Sequence, residues 1–272
     1  MQHFSLSPES MLRSAWRNRA LIAAMTRREV VGRYRGSFLG MFWSLFNPIL
    51  MLVIYTFVFS VVFKARWSAG SESRTEFALM LFAGLMIFNL FAECINRAPT
   101  LIISNVNYVK KVVFPLEVLP WVTLGSALFH LLVSLVVWLV ACVVLFGQLQ
   151  ATVLLLPLIM LPLLLLILGA VWFLASLGVY LRDVSQVVGV LTSMLMFLSP
   201  IFYPLTALPE QYRGLLEANP LTPAVEGARA VLFLGQQPDW LGWAGYCVAA
   251  AFFCWAGFAW FQKTRKGFAD VL

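Results

Sequence analysis

Long runs without an acid or base alternate along the chain with short phrases in which charge is concentrated. Gly36 to Phe63 holds 28 residues with no Asp, Glu, Lys, Arg or His. At about 1.5 Å per residue, a helix of that length exceeds a hydrocarbon core of roughly 30 Å, so it crosses a membrane tilted or starting among the headgroups. Phe77 to about Ile103 is a second run, interrupted by Glu93 and Arg97. Val118 to Leu181 has no acid or base except His130 and is too long for one crossing; the phrase GQLQAT, Gly147 to Thr152, supplies a turn between a third and a fourth span. Val184 to Pro209 is a fifth run and Trp240 to Gln262 a sixth. Backbone groups in lipid must be paired within their own helix. The pattern therefore predicts an all-α integral membrane protein with six transmembrane helices, organised as one domain over 1–272: an interface segment 1–35, a bundle 36–262 and a tail 263–272.

Met11, Leu12, Ala15, Trp16 and Ala20 recur at helical spacing while Arg13, Arg17 and Asn18 fall elsewhere, the signature of an amphipathic helix lying on the membrane. Ser7 and Pro8 suit its cap and first helical residue. Between spans five and six, Leu208 to Asp239 carries prolines at 209, 220, 223 and 238 beside AVEGARAVLFLG, a phrase too short to cross. Short re-entrant helices fit this loop, with a plain surface loop as the other reading. Gly36 and Gly40 form GxxxG, a spacing that permits close helix approach.

Composition agrees with the membrane reading: 61% of residues are hydrophobic and 11% charged, where soluble chains carry roughly a quarter charged. Lys and Arg also divide unequally. With both termini cytoplasmic, thirteen fall on inner segments and five (Lys64, Arg66, Arg74, Arg213 and Arg229) on outer loops, the excess that marks the cytoplasmic side. No apolar core precedes residue 36, so the first long run is expected to serve as its own targeting signal. Cys94, Cys142, Cys247 and Cys254 all lie in predicted spans without CxxC spacing and read as packing residues.

Motifs for catalysis are missing: no GxxxxGK[ST] loop, no HExxH and no GxSxG. Glu72 and Glu76, with Arg74 between them, form the one closely spaced acidic pair. Glu93 and Arg97 are four apart with the acid first, the order that favours contact on one helix face. They form an intramembrane ion pair or, alternatively, a proton relay, because a lone charge at mid-membrane costs roughly 2.5–3.5 kcal/mol. His130 reads as a hydrogen-bonded packing residue. Phe38, Phe42 and Phe46, then Tyr55, Phe59 and Phe63, recur every four residues. Such stripes either line a pore and stack on sugar rings or fill helix interfaces and headgroup belts.

Several phrases taken together resemble one family. RREVVGRYRGSFLGMFWSLFNPILML, LFAGLMIFNLF, NVNYVKKVVFPLEVLP, YLRDVSQVV and LSPIFYPLTALPEQYRGLLEANPLTPAVEGAR, in this order over most of residues 27–233, are similar to the membrane subunit of bacterial ABC transporters that export O-antigen, capsule or teichoic acid. The resemblance implies a non-catalytic permease in the bacterial cytoplasmic membrane, working as two copies with a pore between them. Two separate ATPase subunits would dock below and bind ATP and Mg, leaving this chain without a cofactor. The substrate implied is a polysaccharide on a polyprenyl diphosphate; no nucleic acid is involved. Arg33, Tyr34 and Arg35 stand where its anionic head would enter, guanidinium being suited to phosphate oxygens, although ordinary anionic membrane lipid would meet the same groups. Phe42, Trp43, Phe46, Tyr55 and Phe59 are the pore-lining candidates, and Asn107, Lys110, Lys111, Arg182 and Asp183 those for ATPase coupling, with Lys110 and Lys111 also readable as topology signals. An exporter of the same architecture for a drug or lipid is the alternative. A polytopic membrane transferase is the rival from another class, weakened by the lack of clustered acids.

Overall fold

The computed structural model describes residues 5–62, 74–110, 114–207 and 209–272. Among the described residues every regular element is helical. Lys64, Arg66, Glu72, Phe63 and Lys111, all used above, lie outside them.

The amino-terminal segment forms α1 (Pro8–Arg17) and α2 (Arg19–Arg33). Ser7 caps α1, its hydroxyl accepting from the Ser10 N–H at 3.2 Å. Asn18 breaks the expected single helix into two; its side-chain amide turns back to the Ser14 carbonyl at 2.8 Å. Met11 is buried, whereas Leu12 and Trp16 are exposed, leaving an apolar strip free on α1. Beyond α2 comes a turn rather than a helix. Gly36 and Gly40 both take positive φ, 84° and 53°, in open surroundings, so the GxxxG spacing serves a change of direction and not helix packing.

Among the described residues five helices are long and apolar enough to cross a membrane: Phe42–Phe59, Thr75–Thr100, Leu116–Phe146, Ala151–Tyr180 and Trp240–Val271. They correspond to α3 (Phe42–Tyr55), α4 (Arg74–Arg97), α6 (Leu119–Phe146), α7 (Leu156–Tyr180) and α11 (Trp240–Thr264), with the short α5 (Val106–Lys110) between α4 and α6. The fifth run behaves differently. Its helix, α8 (Val184–Phe197), has 14 residues, about 21 Å, against a core of roughly 30 Å. Ser199, Pro200 and Pro204 stop it, since proline offers no N–H to continue a helix. Then follow α9 (Glu210–Glu217) and α10 (Thr222–Arg229), the latter running into a π turn at Ala230–Leu234; α12 (Phe268–Val271) ends the chain.

α4 is the axis of the bundle. Its apolar residues from Phe77 to Ile95 are nearly all buried, as a helix hydrophobic on every side should be, with α3, α6, α7, α8 and α10 around it. α10 packs against α4 and α7, with Thr222, Ala224, Val225, Ala228 and Arg229 buried, which rules out an exposed loop for this stretch. Arg229, counted above among the outer topology charges, is 2% exposed. Indoles staple the elements together: Trp138 donates to the Leu79 carbonyl at 3.0 Å, Trp172 to Glu117 at 3.2 Å and Trp243 to Leu158 at 3.0 Å.

α7 and α11 meet through Gly169 and Gly257. A Cβ on Gly257 would fall 2.2 Å from the Gly169 carbonyl oxygen, and one on Gly169 would fall 2.7 Å from Cys254 Cα. Both obstacles are backbone, so no rotamer relieves them. Gly257→Ala is expected to lower stability: overpacking costs about 1–3 kcal/mol, which outweighs the helix propensity gained, at most about 1 kcal/mol. A depressed unfolding midpoint in detergent checks this, with Gly245→Ala, in open space, as the control.

Candidate functional site

The charged end of α4 builds the site. Glu29 and Arg33 are one turn apart on α2, in EVVGR; Glu93 and Arg97 are one turn apart on α4, in ECINR. The two copies of this acid-then-base spacing pair crosswise. Arg33 Nη2 donates to Glu93 Oε1 at 2.5 Å, and Arg97 forms an ion pair with Glu29. Within α4, Arg97 Nη1 stands 3.7 Å from Glu93, so each base has its nearest acid on the other helix. α2 reaches α4 by running along α6, where Thr26 lies against Gly125.

His130 on α6 closes the group. Its Nδ1 is 3.0 Å from Glu93 Oε2. A carboxylate only accepts, so Nδ1 carries the proton, and in the neutral ring Nε2 accepts from the Tyr34 hydroxyl at 3.2 Å. Arg33 Nη1 is a donor beside a donor at Nδ1, 3.1 Å away, and donates instead to Nε2 in a long contact of 3.4 Å. Burial pushes the Tyr34 phenol up, opposed by Arg33, so the hydroxyl keeps its proton at neutral pH.

These side chains face a cavity of about 480 Å³ between α3, α4 and α6. Arg33, Tyr34, Glu93, Arg97 and His130 line its charged end. Asn47 and Ser44 of α3, Asn89 and Asn96 of α4 and Ser134 of α6 supply further hydrogen-bonding groups, while Trp43, Met51, Tyr55 and Phe82 form the apolar wall. Glu93 lies 16 residues, about 24 Å, from Phe77 near the far end of α4, and His130 lies equally far from Phe146. The charges thus sit close to one boundary of a roughly 30 Å core rather than at its middle.

The residues singled out from sequence fall into four groups. Arg33, Tyr34, Trp43, Tyr55, Glu93 and Arg97 meet at the cavity. Phe42, Phe46 and Arg35 are exposed and outside it; no ion pair or side-chain hydrogen bond engages Arg35 among the described residues. Phe59 stacks on Phe77 with ring centroids 5.3 Å apart, on the packing side of its helix. Asn107 and Lys110 are exposed on α5, and Arg182 and Asp183 are exposed in the turn between α7 and α8. Tyr108 of α5 accepts from Arg28 Nη2 at 2.9 Å and stacks on Phe114, which ties this segment to α2. Sequence reasoning missed Glu29, Asn89 and Asn96. The repeated ExxxR spacing and the polar stripe at 89, 93 and 96 on α4 were the available signals.

A multi-span helical bundle around a cavity lined by charged side chains is an architecture found among membrane transport subunits. The sequence matches the ABC-2 type transporter family over residues 20–233, and the chain belongs to that family. It is 28% identical over 265 residues to the O-antigen export system permease protein RfbA of Myxococcus xanthus, covering 96% of this chain and 99% of that protein. The RfbA protein of Klebsiella pneumoniae is 24% identical over 254 residues, covering 93% of this chain and 95% of that one. The polysialic acid transport protein KpsM of Escherichia coli is 27% identical over 223 residues, covering 79% of this chain and 81% of its own.

Proposed function

We propose that this chain is the permease subunit of an exporter that carries a polyprenyl-diphosphate-linked polysaccharide, of O-antigen type, out across the bacterial cytoplasmic membrane. Two copies form the channel, and two separate ATPase subunits that bind ATP and Mg drive it from the cytoplasm. Both termini are cytoplasmic. α8, with the segment that follows it, makes the fifth of six spans, and α9 and α10 dip back toward the membrane from outside.

The cation-lined cavity carries this reading. About 480 Å³ suits a small polar headgroup and leaves no room for a glycan chain, so a channel for the chain lies elsewhere. An interface between two copies suits it. α3 has no buried residue within one copy, and α8 exposes Gln186 and Ser193 among its apolar side chains, polar groups that lipid would not favour. Near-complete coverage of permeases named for O-antigen export supports the substrate class.

Deleting the chain in its host is expected to leave lipid-linked polysaccharide made but retained inside, while an ATPase with a Walker motif co-purifies with the tagged chain. Normal surface polysaccharide in the deletion strain refutes the reading. ATPase stimulation by drugs and not by lipid-linked glycan would turn it toward a drug exporter.

A further inference from the structure

The charged end of the cavity is an anion seat with one of the protein's own carboxylates in it. Arg33 Nη2 and His130 Nδ1 both donate to Glu93, at 2.5 and 3.0 Å. One donor is left over and another is poorly used. Arg97 Nη1 is buried without a hydrogen-bond partner, 3.7 Å from Glu93 Oε1, and Arg33 Nη1 reaches no oxygen, only the ring acceptor Nε2 of His130 at 3.4 Å. A buried donor without an acceptor is costly, so a group of donors exceeding what one carboxylate can satisfy is matched to an anion with more oxygens.

We propose that Glu93 is a stand-in for the phosphate of a lipid, and that the phosphate takes Arg33, His130 and the idle Arg97 Nη1 by displacing it. This rests on the reading of the cavity as the seat of an anionic amphiphile. Exchange also has a mechanical result. Arg33 is the last residue of α2 and Glu93 its hold on α4, so seating the phosphate exchanges this direct ion pair for a larger anion held between Arg33 of α2 and Arg97 of α4, which spaces the two helices further apart while the Glu29–Arg97 pair remains. Occupancy is thereby reported to the helix that contacts α5 through Arg28 and Tyr108. Glu93 keeps the empty seat neutral enough to sit at the membrane boundary and closes it to anions that bind too weakly to displace a carboxylate.

The test uses the full chain with its ATPase in phosphatidylcholine nanodiscs and two probes, farnesyl diphosphate and phosphatidylglycerol. Glu93→Gln removes the competing charge and keeps the side-chain shape. Its Kd for farnesyl diphosphate is expected to fall about tenfold, while Arg33→Gln raises Kd by at least about tenfold. An unchanged or raised Kd in Glu93→Gln, with Arg33→Gln weakened, overturns the displacement alone. Arg33→Gln binding like the unsubstituted protein overturns the seat and the displacement together. A second measurement avoids variants at the seat: spin labels at Arg27 and Thr100, both exposed, report the α2–α4 distance. Farnesyl diphosphate is expected to lengthen it, and an unchanged distance at saturation overturns the proposal. Lengthening by farnesyl diphosphate alone assigns the seat to an isoprenoid diphosphate; lengthening by both probes assigns it to lipid phosphate in general.

Discussion

Arg229→Met is expected to lower stability by about 3–5 kcal/mol and to release α10 from the bundle. The guanidinium is buried and donates in three directions: Nε to the Met80 carbonyl at 3.0 Å, Nη2 to Ile201 at 2.6 Å, and Nη1 to the Pro200 carbonyl and, at 2.8 Å, to Glu226 Oε1. Gly84 leaves the room for it, since a Cβ there would lie 2.6 Å from Nη2. Met80 lies inside α4, so its carbonyl has a helical acceptor role in any case. Pro200 and Ile201 lie in the break after α8 and have no helical partner in prospect. Leaving each of those acceptors buried and unmet costs about 1–3 kcal/mol, and together they account for most of the effect. Glu226→Gln should cost under about 1 kcal/mol, because that carboxylate is 36% exposed and screened by solvent. Lysine cannot substitute, as one ammonium cannot span carbonyls on two segments. Chemical unfolding in micelles measures all three variants; an Arg229→Met midpoint equal to that of Glu226→Gln would show that the carbonyl cage does not hold the loop.

The same residue marks the limit of what the sequence discloses. Long uncharged runs fix α3, α4, α6, α7 and α11 because spanning helices need both length and apolarity, and each is readable locally. Val184 to Pro209 satisfies that test too, yet its helix stops at Phe197. The carbonyls freed by the break are answered by Arg229, 28 and 29 residues further on, and such a pairing leaves no local pattern. At the cavity, the Glu93–Arg97 spacing is local and visible. Their closer partners come from α2 and α6, so the sequence discloses a pair where the fold builds a network of five side chains. The GxxxG at Gly36 fails for the opposite reason. Its spacing is helical, but glycine is equally suited to the left-handed turn that the chain makes there.

Arg265→Met is expected to cost about 3–5 kcal/mol, and Glu117→Gln in that background to recover most of it. Glu117 is 8% exposed at the entrance to α6. Its carboxylate accepts from Arg265 Nη1 at 2.6 Å and from the Ser14 hydroxyl at 3.0 Å, while Arg265 Nη2 donates to the Phe114 carbonyl at 2.9 Å. Removing the arginine leaves a buried carboxylate with one neutral donor. The second substitution neutralises that charge, so the two changes should be strongly non-additive in a double-mutant cycle. Export separates two roles. Phe114 and Glu117 follow α5, which carries Asn107 and Lys110, so Arg265 anchors the foot of the segment on which a partner ATPase would press. Glutamine at 117 repairs the charge and not the lost bond to Phe114. The double variant is therefore expected to fold near normally and export poorly, with ATP hydrolysis retained. Export recovering in step with folded yield would confine the pair to stability.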